Sequence, residues 1–377
     1  MQYLKAKEWM DSAGREAGRY SKQIAVAAND ILLRINFKEV FGLDIGSSFI
    51  KAVQLRRTPG RRGYTAVSGS IVKIAAAGGS QGMAGTVEAV RESYQSAGFK
   101  TKCAVTAVGG LETAVRAFRF PTLAIDEVGG AVQLEAAQVC PFSVDSSTVV
   151  YSLLPNDSSG TRGFLAAATN SLIKKKMQMV KDADMENVLM DVEAVALLNC
   201  FTEIESERFA ADRTVCILNV GNAYTTVVIM GDNYLPFVRE IGYGGGDIIK
   251  MVAEECNLSQ DAVANMLADI SGAEGKRFSL DGSLERASKK LADDVVNTLR
   301  YYAAQERSAV VKKIFVCGGF ALVKGFVEIL NHNLSAEVML WNPFDRVNCD
   351  QRQPCYALFK NYGPAMAVAA GLAVRPI

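Results

Sequence analysis

The sequence predicts an α/β protein built from two similar halves that share one cleft. Three observations predict it. Phe41 to Leu55, FGLDIGSSFIKAVQL, reads as an apolar strand, a small-residue turn and a second strand. Cys216 to Met230, CILNVGNAYTTVVIM, aligns with it without a gap: Leu43-Asp44-Ile45-Gly46-Ser47-Ser48 matches Leu218-Asn219-Val220-Gly221-Asn222-Ala223. That separation is too wide for a solenoid period, and 377 residues suffice for two cores.

A carboxylate just ahead of a small-residue turn is what a magnesium-phosphate group requires. Magnesium keeps several waters and takes one or two protein oxygens, while turn N–H groups cradle phosphate oxygens. Two such hairpins facing across a cleft would grip a phosphate chain from both sides. Read alone, each is equally a buried hairpin that ends in Asp-x-Gly or its equivalent.

Composition excludes several classes. Hydrophobic content of 49% and charged content of 21% are those of an ordinary globular chain. A net charge of +1 offers no general attraction to nucleic acid or anionic membrane. The eight cysteines include no CxxC pair and mostly sit in apolar runs, which argues for a reducing compartment over disulfides or thiolate zinc. His332, the single histidine, lies in a polar run on an expected surface helix, a poor setting for a catalytic triad. No apolar run approaches the ~20 residues of a membrane span, and charges interrupt Met1 to Arg19 where a signal peptide would be apolar. The expected location is cytoplasmic, unless a partner holds the protein at a membrane.

In chain order, Trp9, Ala13, Tyr20, Ile24, Ala27, Ile31 and Ile35 form one helical stripe over residues 1–38. Its mixed charge favours packing on the protein's own body, a second copy or a partner over membrane binding. Three strands over 39–74 enclose a turn at Thr58–Gly63, and the glycine-rich loop Ala77–Gly85 leads to a helix ending near Gly98. Cys103–Val108 is a buried strand. A small α+β insert follows: an alternating strand over Thr113–Pro121, a helix over 125–139 stopped by Pro141, strands near 147–154 and 162–168 joined by a polar turn at 156–160, and a helix over 170–183. The chain returns through Val188–Asp191 and a helix over Val192–Phe201. The second half has strands from Thr214 to Ile241, a glycine cluster at 242–246, helices near 247–257, 260–269 and 281–307 with a polar loop near 272–282, the strand Ile314–Gly319, a helix over Ala321–Asn333 and a small-residue helix over Gly363–Arg375.

The order of two hairpins, the Gly244–Gly246 turn, the Gly318-Gly319 strand end and the Gly363 helix resembles the actin/Hsp70/sugar-kinase ATPase superfamily. LDIGSSFIKAVQL, VRAFRFPTLAIDEVGGAVQLEAAQVCPF, MDVEAVALLNCF, REIGYGGGDI and CGGFALVKGFVEILNHNL followed by NPF at 342–344 look most like the PilM family of type IV pilus assembly, with FtsA more distant. The resemblance covers about residues 40–375. It implies an actin-like (ASKHA) two-domain fold with duplicated βββαβα halves, an IC-type insert in the first and a helical IIB-type insert in the second. The implied divisions are an extension over 1–38, subdomain IA over 39–115 and 185–212, IC over 116–184, IIA over 213–245 and 309–354, IIB over 246–308, and a C-terminal helix over 355–377 returning to IA.

The resemblance further implies ATP and Mg2+ between the halves. Asp44 would hold magnesium through water, Gly46, Ser47 and Ser48 would contact phosphates, and Lys51 would reach them from the next strand. Asn219, Gly221, Asn222 and Ala223 would close the opposite side. Gly244, Gly245 and Gly246 would line the ribose, and Gly318 and Gly319, with Phe320 beside them, the adenine. Asp191 or Glu193 would orient water at the γ-phosphate, although Glu193 equally complements a helix dipole. Three departures weaken this: Asn219 stands for an aspartate, Ala264 and Leu267 for a ribose-gripping pair, and Phe320 for a small residue, to stack on adenine or fill its space. The chain is then at most a weak ATPase.

The function so implied is a cytoplasmic scaffold, peripheral at the inner face of the inner membrane, in a pilus or related secretion assembly. Its partner would be the short N-terminal tail of a PilN-like inner-membrane protein, held in a IA/IC groove near Arg116, Phe118, Arg119, Phe120 and Leu134, with self-association also open. Phe118 and Phe120 are equally ordinary core. No nucleic acid is expected, and membrane only through partners or the N-terminal helix. The rivals are an active ATPase or small-molecule kinase, which would need an acceptor pocket and base; an FtsA-like filament, whose basic terminal helix has no counterpart in the ending Pro376-Ile377; and a scaffold of the same fold that uses no nucleotide.

Overall fold

A computed structural model describes residues 39–58, 63–75, 81–155, 160–205, 214–231, 233–268, 274–305 and 310–375, with backbone alone for Gln81, 274–279 and Asp281. The expected N-terminal helix, most of the turn after Thr58, the first part of the loop at Ala77 and most of the turn at 156–160 lie outside these residues.

The duplication read from the hairpins extends to whole sheets. In the first half, β1 (Phe41–Ile45), β2 (Phe49–Arg57) and β3 (Tyr64–Lys73) form an antiparallel meander, and β4 (Cys103–Val108) and β8 (Glu186–Val192) add to β1 in parallel, giving the order β3-β2-β1-β4-β8. In the second, β9 (Val215–Val220), β10 (Thr225–Met230), β11 (Pro236–Ile241), β12 (Lys313–Cys317) and β13 (Glu337–Leu340) repeat it as β11-β10-β9-β12-β13. The two similar halves that the hairpins led one to expect are therefore present, in the duplicated arrangement that the resemblance to actin-like proteins implied.

Both central strands are apolar because each is covered on both faces. One face of the first sheet packs on α1 (Gln81–Ala97) and α3 (Asn170–Asp182), where Phe41 stacks on Phe99 with ring centroids 4.5 Å apart. The other packs on α4 (Glu193–Ile204) and α10 (Ala367–Ala373). These two helices also face the second sheet: Phe201 of α4 meets Phe315 of β12 at 4.8 Å and Trp341 at 5.2 Å. The far side of the second sheet is covered by α5 (Gly245–Cys256), α6 (Gln260–Ala268), α7 (Glu274–Gln305) and α8 (Phe326–Asn333). One apolar core thus runs between the halves. The insert is a separate three-stranded sheet, ordered β5 (Thr113–Phe120), β7 (Thr161–Thr169), β6 (Ser147–Leu153), backed by α2 (Ile125–Val139).

Several boundaries differ from expectation for local reasons. The region expected as a polar loop near 272–282 is helical from Glu274, because Leu280, Leu284, Ala287 and Leu291 recur on one buried stripe. The helix expected over Ala321–Asn333 is split into a 3-10 turn (Gly319–Leu322) and α8, with left-handed Gly325 (φ +83°) at the break. The expected terminal helix divides into α9 (Cys355–Tyr362), a 3-10 turn at Gly363–Met366 and α10. Its small residues serve close approach: a Cβ on Gly42 would stand 2.1 Å from the Ala369 carbonyl oxygen.

Candidate functional site

The two hairpin turns are built alike and meet. Gly46 N–H donates to the Phe49 carbonyl at 3.2 Å, and Gly221 N–H to the Tyr224 carbonyl at 3.1 Å. This leaves Ser47 and Ser48, and Asn222 and Ala223, at the turn tips. Asn222 Nδ2 lies 3.5 Å from Ser47 Oγ across the cleft. Asp44 and Lys51 are directly paired in the β1–β2 ladder, and Lys51 Nζ bonds Asp44 Oδ2 at 2.9 Å with both side chains 14% exposed. Lys51 therefore neutralises Asp44.

Glu193 is the centre of the cleft floor. It begins α4, is buried, and accepts from Asn219 Nδ2 and from the Tyr224 hydroxyl, each at 2.5 Å. The Thr226 hydroxyl lies 3.5 Å from Glu193 and 2.7 Å from Glu240 Oε2. Three side chains of the second half thus converge on one carboxylate of the first. Burial, then the Asp44 charge, pushes the Glu193 carboxyl up from its ordinary value. Burial, then Glu193, raises Glu240 to about 8. Tyr224 is likewise raised by burial and by Glu193. Its ring closes on Gly109-Gly110, where a Cβ on Gly109 would stand 2.3 Å from Glu193 Oε2 and 2.6 Å from the Tyr224 hydroxyl. With both oxygens engaged, Glu193 is a cross-link between the halves.

The second-half glycines are also occupied. Gly245 N–H donates to the Gly221 carbonyl and Gly246 N–H to the Asn222 carbonyl, both at 2.8 Å, and Gly244 N–H donates to Asp247 Oδ2 at 2.9 Å. The start of α5 is docked on the second hairpin. Gly318 is left-handed (φ +95°), and a Cβ there would stand 2.4 Å from the Val220 carbonyl oxygen. Gly319 is open in this sense, with nothing near its Cβ position. Phe320 is 7% exposed, meets Phe326 edge-on at 4.9 Å, and lies against Gly245 so closely that a Cβ there would be 2.2 Å from its ring. Leu267 is buried in the same core and Ala264 is half-buried on α6.

The donor set therefore fits the two ends of a nucleotide differently. The first hairpin, with Asp44, the tips Ser47 and Ser48, Lys51, and Lys176 whose Nζ donates to the Ile45 carbonyl, suits a polyphosphate and its magnesium. The nucleoside end does not fit as well: the Phe320 ring stands between the segments assigned to ribose and adenine, and the α5 amides are spent.

Asp191 and Glu193 are split by their partners. Asp191 Oδ1 accepts its neighbour's N–H from Val192 at 2.8 Å, and Oδ2 lies 3.2 Å from Arg375 Nε at the chain's end, so it holds the terminal segment. Of the groove residues, Arg116 turns inward: its Nη1 donates to the Val115 carbonyl at 2.9 Å and to the Val238 carbonyl of β11 at 3.0 Å. It ties the insert to the second sheet. Phe118 is buried in the insert core, stacked on half-buried Phe120 at 4.8 Å. Arg119 and Leu134 are exposed, Leu134 at 69%. His332 lies in the last turn of α8 with Nδ1 2.9 Å from the Glu328 carbonyl oxygen.

Sequence reasoning missed Tyr224, Thr226, Glu240 and Lys176. Tyr224 had a signal, since it follows the second turn within the duplicated stretch. Lys176 also had one: it is a lysine on the apolar stripe of α3, and its Nζ donates to the Ile45 carbonyl beside Asp44. Glu240 had none, because only the sheet register brings β11 beside Thr226.

A profile of the family described as type IV pilus assembly protein PilM matches residues 42–377. A solved structure described as a PilM-PilN type IV pilus biogenesis complex is similar over 90% of this chain and 98% of that chain, at 21% identity and a TM-score of 0.76. The ethanolamine utilization protein EutJ from Carboxydothermus hydrogenoformans is similar over 89% of this chain and 88% of that chain, at 14% identity and a TM-score of 0.51. At these identities the structural likenesses establish the fold.

Proposed function

The chain belongs to the PilM family of type IV pilus assembly proteins, and on that premise we propose that it is a non-hydrolysing scaffold that binds the short cytoplasmic tail of a PilN-like inner-membrane protein. The observation that carries the first part is Glu193. A carboxylate that orients attacking water needs a free oxygen aimed at it, and both Glu193 oxygens are bonded to Asn219 and Tyr224. Asp191 is committed to Arg375. The remaining role for the cleft is to hold the phosphate end of ATP at the first hairpin, with magnesium reached from Asp44 through water. Bound Mg-ATP would supply charge that the Ser47 and Ser48 turn tip and the nearby lysines complement. Phe320 favours a second reading, in which the scaffold uses no nucleotide.

The tail site is the outer end of β5 with α2, through Arg119, Phe120 and Leu134. Its support is that Arg119 and Leu134 are exposed on a sheet-and-helix unit standing apart from the main core. Among the described residues no helix is long and apolar enough to cross a membrane, so the partner would hold the protein at the inner face of the inner membrane. Pull-down with tail peptides of candidate inner-membrane proteins tests this. Capture is expected, and its loss in Arg119→Glu and Leu134→Asp. Capture unaffected by either change removes the groove. Titration with Mg-ATP decides between the two cleft readings, and steady phosphate release would overturn the scaffold assignment.

A further inference from the structure

Helix α3, NSLIKKKMQMVKD, buries Met179 and Val180 and half-buries Leu172, Ile173 and Lys176. These positions share one face at helical spacing. Lys174, Lys175, Gln178 and Lys181 lie exposed on the other. A lysine on the buried stripe is unexpected, because an ammonium taken from water costs free energy that an apolar residue would not. Burial accordingly pushes the Lys176 amine down from its ordinary value. Its hydrogen bond is to the Ile45 carbonyl, an uncharged acceptor. The nearest carboxylate on that strand, Asp44, is already bonded to Lys51.

Both ammonium groups flank the same turn. Lys176 Nζ sits on the carbonyl of Ile45, and Lys51 Nζ would lie 3.3 Å from a Cβ placed on Gly46. Between them the turn presents Ser47 and Ser48. With Lys51 bonded to Asp44, the partly desolvated ammonium of Lys176 is the cation that the turn offers, and charge-assisted hydrogen bonds to phosphate oxygens are strongest where the cation has shed water.

We propose that Lys176 is a phosphate-binding residue of the cleft, delivered by the insert's own helix, and that a polyphosphate anion seated on the Gly46 turn between Lys176 and Lys51 pins α3 to the first hairpin. The inference rests on the reading of the first hairpin as a phosphate site. It extends that reading by making α3, which continues directly from β7 of the insert, the element that senses occupancy. The anion exchanges a weak carbonyl contact of Lys176 for a charged one, so α3 is held more firmly when the site is filled. Because α3 and β7 are continuous at Thr169, whose hydroxyl caps the helix at Leu172 N–H (3.3 Å), the restraint reaches the central strand of the insert.

The test uses the full chain, calorimetric titration with sodium tripolyphosphate and with Mg-ATP, and hydrogen exchange of residues 170–182. Lys176→Met and Lys176→Gln are expected to weaken tripolyphosphate binding by about tenfold or more, and to fold with thermal stability equal to or above the parent, since a buried charge is removed. Tripolyphosphate should slow exchange across α3 in the parent and not in the variants. Equal affinity in parent and variants, or α3 exchange that tripolyphosphate leaves unchanged, overturns the proposal. If Mg-ATP binds the parent and both variants alike, the nucleotide reading stands and Lys176 falls. If tripolyphosphate binds the parent more tightly than the variants and Mg-ATP does not bind, Lys176 stands and the nucleotide reading falls. A parent that binds neither removes both.

Discussion

Glu193, the first residue of a helix in one half, accepts the side-chain amide of Asn219 from the central strand of the other at 2.5 Å. Asn219 occupies the position that corresponds to Asp44 in the duplicated hairpin. An amide there supplies a donor to Glu193, whereas a carboxylate would place a second acid against one already raised by burial and by Asp44. The departure at Asn219 therefore has a structural consequence: it lets the two halves be joined across the cleft floor.

Asn219→Asp should weaken that joint. Two carboxylates at hydrogen-bond distance cannot both ionise freely, and the lost donor leaves Glu193 with fewer partners. Urea unfolding is expected to show a loss of about 3 kcal/mol at neutral pH, shrinking in acid as the pair shares a proton. A variant as stable as the parent at neutral pH would show that the Asn219–Glu193 bond does not join the halves.

The Glu240 carboxyl, normally near 4.5, is raised to about 8, first by burial and then by Glu193. The folded chain keeps a proton here that the unfolded chain releases within that window. This group's contribution to stability is therefore full below pH 4.5 and falls as pH rises to 8. Glu240→Gln keeps a partner for Thr226 and removes the loss. Its melting temperature should exceed the parent's by a few degrees at the alkaline end of the window and match it at the acid end. Equal melting curves across the window would mean that Glu240 is ionised in the folded chain.

Phe320→Ala trades core for space. Removing a buried ring costs about 3–5 kcal/mol, so the variant should melt well below the parent. It also clears the volume beside Gly245, and the affinity for Mg-ATP should rise relative to that for tripolyphosphate. If the ratio is unchanged, the ring does not obstruct the nucleoside.

The small-residue terminal helix is intolerant of a single methyl. A Cβ on Gly371 would stand 1.9 Å from the Ala196 carbonyl oxygen. Gly371→Ala should cost about 1–3 kcal/mol through overpacking of α10 on α4, read by thermal melting. Because α10 and α4 lie between the two sheets, the loss should appear as one cooperative transition and not as unfolding of one half alone.

Much of the fold was legible because it is local and repeated. The hairpins at Phe41 and Cys216 carry strand periodicity and a turn in fifteen consecutive residues each, and their likeness announced the duplicated sheets. Helix α2 was legible to the residue, since Pro141 cannot continue it. The split at Gly325 and the helical start at Glu274 were not, because each depends on what the segment packs against.

The site divided along the same line. Asp44, the Gly46 turn and the glycine pairs are sequence features, and the sequence by itself determined that they stand at strand ends and turns. Their engagement was decided only by the tertiary structure. Lys51 neutralises Asp44, the α5 amides are spent on the second hairpin, Arg116 ties the insert to β11, and Glu193 bonds three side chains of the second hairpin, which lies in the other half. The physical reason is that hydrogen-bond capacity is finite. Whether a carboxylate or an amide can serve a ligand depends on which distant groups fold against it, and no local pattern in the chain records that.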